Sequence, residues 1–106
     1  MFDALEMSLL ILERLVAVEG RIRLKSRSLA GQLADASESV ALNLAEGRRR
    51  KDGDRRRHYE IASGSASEVT VALRIAVAKR YITEAERAAV EVPLDRLRAL
   101  LYGLVR

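Results

Sequence analysis

The sequence predicts an all-α protein, an antiparallel up-down-up-down four-helix bundle formed by a single domain over residues 1–106. Three observations carry this. Apolar residues recur every three or four positions in four separate segments, the spacing of one face of a helix. Hydrophobic residues make up 49% of the chain and charged ones 32%, the balance of a folded protein with a solvated surface and not of a disordered tail. One proline, three tyrosines and one phenylalanine are few for a sheet-rich domain, which needs more turns and more aromatic strands. At 106 residues the chain can build one core but not two.

In the first segment Phe2, Leu5, Leu9, Leu12 and Val16 form the seam of an amphipathic helix. Leu10, Leu15 and Ala17 widen its apolar face, and Gly20 is expected to end it. Ser26 or Ser28 can cap a second helix, whose seam is Leu29, Leu33, Ala36, Val40 and Leu44. Ala30, Ala34, Ala41 and Ala45 add a smooth second stripe. Gly47 follows the last periodic residue, where a left-handed glycine would stop the helix.

Asp52-Gly53-Asp54 reads as a turn. The third helix is expected from about Asp54 to Lys79, with Ala62, Ala66, Val69, Leu73, Ala76 and Val77 inward. Val71, Ile75, Ala78 and Ile82 form a further apolar strip. Ala62 to Ser67 are all small, so a neighbouring helix can approach there, which would offset the roughly 1 kcal/mol of helix propensity that Gly64 forfeits. Thr83-Glu84-Ala85-Glu86 has the form of a capping box for the fourth helix. Its seam is Leu94, Leu97, Leu101 and Leu104, with a kink expected at Pro93. Helices of about 20 residues span about 30 Å, so the two connections rich in arginine fall at opposite ends of the bundle.

The absence of cysteine excludes a disulfide framework and thiolate chemistry, and fits a reducing cytoplasm. No apolar run approaches the roughly 20 residues that span a bilayer. Asp3 and Glu6 stand where a signal peptide would be positive. The expectation is a cytoplasmic protein without a membrane partner. Its net charge of +4 conceals a segregation. Arg48, Arg49, Arg50, Lys51, Arg55, Arg56 and Arg57 stand against only Asp52 and Asp54, a local balance of +5. Arg21, Arg23, Lys25 and Arg27 add +4 between the first two helices. Charge clustered in this way is a candidate footprint for a polyanion.

The middle of the chain carries a pattern: Gln32-Leu33, Ala36, Ser39-Val40 and Asn43-Leu44-Ala45-Glu46-Gly47, then Tyr59 and Ile61-Ala62-x-Gly64-Ser65-Ala66-x-Glu68. It resembles the four-helix-bundle proteins encoded by intervening sequences of bacterial large-subunit ribosomal RNA genes. The accessory variability protein of diversity-generating retroelements is similar. The resemblance covers roughly residues 5–105 and implies a bundle that assembles into a ring-like homo-oligomer of five. In the retroelement branch it implies a basic surface that binds nucleic acid and a reverse transcriptase. The sequence departs from the pattern at Arg21-Ile22-Arg23-Leu24-Lys25, where an aromatic-proline element is usual, and at Pro93.

Arginine offers a planar, permanent cation suited to phosphate oxygens, and several together release counterions on binding. The arginine connection therefore reads as a nucleic-acid backbone site on RNA or DNA, against the plainer reading of a solvated loop with paired charges. A protein-interaction scaffold, serving a partner enzyme without touching nucleic acid, is the rival. Asn43, Glu46, Ser65 and Glu68 read as a polar cluster that sets helix register, with Glu46 expected to accept from the backbone or an arginine because a helix C-terminus disfavours an anion. His58 has no triad context and is a poor lone metal ligand, so it reads as exposed or locally hydrogen-bonded. A metal-dependent nuclease built on Glu46, Glu60 or Glu68 is a distant third reading. No catalytic residue, metal or cofactor is expected. The doubled apolar stripes on the first and third helices favour self-association over a ligand groove.

Overall fold

Ala4–Lys25 (α1), Arg27–Arg49 (α2), Asp52–Ala78 (α3) and Glu84–Val105 (α4) are α-helices in the computed structural model, which describes residues 3–106. No strand occurs among the described residues. Phe2, the first residue of the expected α1 seam, lies outside them.

The helices run antiparallel in the cyclic order α1–α2–α3–α4, as their side-chain pairs show. The start of α1 meets the end of α2 through Asp3 and Arg48. Mid-α2 meets mid-α3 through Ser39 and Ser65, whose hydroxyl oxygens are 2.8 Å apart. Arg74 of α3 reaches Glu91 of α4, and Arg21, late in α1, reaches Glu86, early in α4. The resulting body measures 42 × 25 × 20 Å.

The seam expected on α2 is the one the core uses: Leu29, Leu33, Ala36, Val40 and Leu44 are all buried. On α3, Ala62, Ala66, Val69, Leu73 and Ala76 are buried and Val77 is half-buried, again as expected. The α1 seam is different. Its buried face is Ser8, Ile11, Leu15, Val18 and Ile22, while Leu9 and Val16 are 48% and 69% exposed. Two apolar stripes run along α1 about a third of a turn apart, and spacing alone does not rank them.

Several boundaries differ from expectation for local reasons. α1 passes through Gly20 to Lys25, because the fully buried Ile22 on its last turn offsets the glycine's propensity cost of about 1 kcal/mol. The connection expected at Arg21–Arg27 is therefore mostly helix. Ser26 alone separates α1 from α2: its N–H donates to Ile22 O, and its Oγ accepts from Leu29 N at 3.1 Å. The cations Arg23 and Lys25 thus lie in a last helical turn, where they complement the dipole.

α2 likewise continues through Gly47 to Arg49, and no glycine takes a positive φ. Glycine is needed there for space. A Cβ on Gly47 would stand 2.5 Å and 2.8 Å from ring carbons of Tyr59. In the α2–α3 turn it is Asp52, not Gly53, that adopts a left-handed conformation, with φ 52°, a region aspartate tolerates better than most residues. Gly64 is exposed, with nothing near its missing Cβ. The close approach of α2 and α3 falls on its buried neighbours Ala62, Ser65 and Ala66.

Arg80 takes φ 63° after α3. Its N–H donates to Val77 O and that of Tyr81 to Ala76 O, the paired bonds of a Schellman ending. The Thr83–Glu86 capping box is formed in both directions. Pro93 is buried inside an uninterrupted α4, and Leu94, Leu97 and Leu101 line the core while Leu104 is exposed. α3 is by length and composition apolar enough to cross a membrane, with a mean hydropathy of 1.3 over 18 residues, against the expectation from the sequence. Its burying face packs inside the bundle, and its first turns carry Arg55, Arg56 and Arg57.

Candidate nucleic-acid interface

The α2–α3 turn gathers seven cations at one end of the bundle, and its geometry divides them. Arg48 forms an ion pair with Asp3. Arg50 bridges two acids, with Nη2 2.8 Å from Glu46 and Nη1 3.2 Å from Asp54. Arg56 pairs with Glu60 at 3.1 Å, one helical turn away. Arg55 turns back across the connection: its Nε donates to Gly47 O at 3.0 Å and its Nη2 to Arg48 O at 3.1 Å. It thereby satisfies carbonyls that the end of α2 leaves without helical donors, at the negative pole of that helix. Arg49, Lys51 and Arg57 are exposed and have no acidic partner among the described residues.

Electrostatics follow these pairs. The Arg50 guanidinium holds the Glu46 carboxyl below its ordinary range, and Glu46 in turn raises Arg50. The Glu6 N–H, followed by Arg48, lowers Asp3. Glu46 and Asp3 are therefore ionised across the neutral range. Behind Arg48 lies a cavity of about 260 Å³ lined by Leu5, Leu44, Tyr59, Leu100 and Leu104.

The second basic segment lies at the other end of the bundle. Arg21 pairs with Glu86 at 3.1 Å and Arg23 with Glu19 at 2.8 Å. Lys25 and Arg27 have no acidic partner among the described residues. The fold keeps the two basic segments apart, as helix length predicted, and does not merge them into one continuous surface.

The expected polar cluster is assembled from different members. Asn43 Nδ2 donates to Ser39 O at 2.9 Å and to Ser39 Oγ at 3.1 Å. Ser39 Oγ meets Ser65 Oγ, and Asn43 Oδ1 meets His58 Nδ1 at 3.0 Å. Asn43 and Ser65 thus belong together, while Glu46 faces Arg50 and Glu68 is exposed on α3. Ser39 and His58 complete the cluster. Ser39 lies one turn before Asn43, a signal the sequence held, but His58 joins it only because α3 folds back along α2. With Glu46 on Arg50 and Glu60 on Arg56, the carboxylates of the nuclease reading are not gathered, and no metal-sized group of acids or histidine occurs among the described residues.

A second ionic cluster joins α3 and α4. Glu91 is 5% exposed and receives Arg74 on both oxygens, Nε to Oε1 and Nη2 to Oε2, each at 3.0 Å. Arg87, one turn earlier on α4, also pairs with it and with Glu84. Glu91 and Arg87 sit four apart, a common surface spacing. Nothing in that spacing signals burial.

The sequence profile of the 23S rRNA-intervening sequence proteins matches residues 3–103. The chain belongs to that family. No curated protein matches it. Its fold is that of a crystal structure of a protein of unknown function from the S23 ribosomal protein family of Bacteroides thetaiotaomicron VPI-5482, with a TM-score of 0.89 over 98% of this chain and 99% of that one. Identity is 18%, so the likeness speaks for the four-helix fold alone. The match spans both stretches that carry the resemblance, Asn43–Gly47 and Ile61–Glu68.

Proposed function

We propose that this protein is a non-enzymatic, self-associating nucleic-acid-binding protein that contacts the phosphate backbone of RNA or DNA through the α2–α3 end of its bundle. The observation that carries the reading is the grouping of Arg49, Lys51 and Arg57, exposed and without acidic partners among the described residues. Cations already held by carboxylates gain little from a phosphate, whereas unpartnered ones release the counterions a polyanion brings. The family's association with ribosomal RNA intervening sequences supports RNA as the partner. Backbone contact with little sequence discrimination fits a surface with no groove-reading element.

Self-association is supported by two exposed apolar stripes. Leu9 and Val16 lie on α1, and Val71 and Ile75, 55% and 43% exposed, line a groove of about 280 Å³ on α3. A ring of five, and a reverse transcriptase as a further partner, enter the proposal through the resemblance. A cysteine-free chain is in keeping with action in the cytoplasm. The same stripes favour the second reading, a scaffold whose assembly organises a protein partner.

The test is retardation of labelled RNA and DNA across a salt series, with mass by light scattering on the same samples. The expected result is retention by an oligomer that weakens steeply as salt rises. Replacing Arg49, Lys51 and Arg57 together with glutamate should abolish retention and leave helicity and mass intact. Retention that survives this replacement assigns the binding elsewhere, and an oligomer that ignores both nucleic acids at low salt leaves the scaffold reading.

A further inference from the structure

His58 is the only histidine in the chain; it follows Arg57 near the start of α3 and has one ring nitrogen already committed. Asn43 Nδ2 spends its two hydrogens on Ser39, at 2.9 Å and 3.1 Å. That fixes the amide so that Oδ1, a pure acceptor, faces His58 Nδ1 at 3.0 Å. Nδ1 is therefore the donor to Oδ1, and the nitrogen left for a further partner is Nε2, on the other edge of a half-buried ring. His58 lies one position after Arg57 and against Gly47 of α2, with its Cβ 3.3 Å from where a Gly47 Cβ would stand.

We propose that His58 is a further, proton-dependent phosphate ligand of the arginine end: a cation when Nε2 is protonated, a neutral group when it is not. The proposal rests on the phosphate-binding reading above and adds to it one charge that pH controls.

The charged groups around the ring set the sign. From α2 come Glu46, which attracts an imidazolium, and Arg49 and Arg50, which repel it. Glu46 is itself held by Arg50. On α3, Asp54 and Arg55 lie one turn before His58, and Arg57 adjoins it; Asp54 is bridged by Arg50 and Arg55 is turned onto the end of α2. From α1, Asp3 reaches this end but is paired with Arg48, and from α4, Arg106 lies over its own Tyr102. The local acids are thus already engaged, leaving phosphate as the partner that would favour the charged ring. Bound polyanion draws a proton onto Nε2, and acidification strengthens retention by the reciprocal linkage.

The experiment measures RNA retention against salt at about pH 8 and about pH 5.5, either side of ordinary imidazole titration, for the natural protein, His58→Gln and His58→Arg. Each phosphate neutralised steepens the log–log salt slope by about 0.7 on a single strand. The expected result is a slope steeper by about that amount at the lower pH for the natural protein. His58→Gln should show the shallow slope at both values and His58→Arg the steep one at both. Nitrogen-15 spectra of the natural protein should show the neutral ring protonated on Nδ1. Retention with the same slope at both pH values, or a neutral ring protonated on Nε2, overturns the role of His58 while leaving the arginine surface standing. Absence of retention at either pH overturns both together.

Discussion

Two groups of arginines in this molecule do opposite work. At the α2–α3 turn seven cations crowd into one exposed connection, yet four of them are engaged by neighbouring acids or by helix carbonyls. On the flank of α3 and α4, Arg74 and Arg87 stand apart in sequence but converge on one buried carboxylate, Glu91. Exposed pairs contribute at most about 1 kcal/mol each, since water and salt screen them. A buried carboxylate stripped of partners, or partners stripped of their carboxylate, costs several times that. Density of charge along the chain therefore does not report pairing: most of the crowded cations are engaged by near neighbours, whereas the buried cluster joins residues far apart in sequence.

The sharpest way to break this contrast is Glu91→Ala. It should lower unfolding free energy by about 3 kcal/mol, because Arg87, itself mostly buried, loses its buried partner and keeps only the exposed Glu84; a change below about 1 kcal/mol in urea unfolding would mean the cluster is no more important than a surface pair. Next comes Gly47→Ala. The methyl group would press on the Tyr59 ring, and a loss of about 1–3 kcal/mol is expected, showing that the arginine end is fastened by packing. An unchanged midpoint would show that the ring moves away freely.

A smaller effect is expected from acid. Asp3, Glu46, Glu84 and Glu86 are lowered by, respectively, the Glu6 N–H, Arg50, Arg87 and the Thr83 N–H. A carboxylate lowered in the folded state adds stability above its unfolded value, 3.8 or 4.5 here, and that stability is lost as pH falls through the folded value. Thermal midpoints should therefore be level near neutrality and decline below about pH 4.5, and Glu46→Gln should remove a small part of the decline. Smallest of all is the effect on stability of replacing Arg49, Lys51 and Arg57 with glutamine, expected within about 0.5 kcal/mol. A larger loss would mean that these side chains have structural partners after all.

Much of the bundle was legible because helix periodicity and caps are local. The seams of α2 and α3, the Ser26 cap and the Thr83–Glu86 box all stand where the residues place them. Two glycines depart from their local signals for a shared reason. Gly20 and Gly47 carry local signals for helix ends, but Ile22 is buried beyond one and Tyr59 leans on the other. The polar cluster is half legible: Asn43 and Ser65 both join the Ser39 network, Glu46 faces Arg50 where the sequence allows the backbone or an arginine, and His58 needs α3 folded back along α2 to reach Asn43. Glu91 left no trace in the sequence, since a glutamate four residues after an arginine on a helix is ordinarily a surface pair.

The amino-acid order by itself determined four helices, their short connections and the segregation of positive charge to two opposite ends, because each depends on neighbours within a turn or two. Only the tertiary structure decided which of α1's two apolar stripes faces inward, which cations remain without a partner, and which carboxylate is buried. Those outcomes depend on what the other helices bring to each face, and a buried charge or a packed ring acquires its energy only from groups distant in the chain.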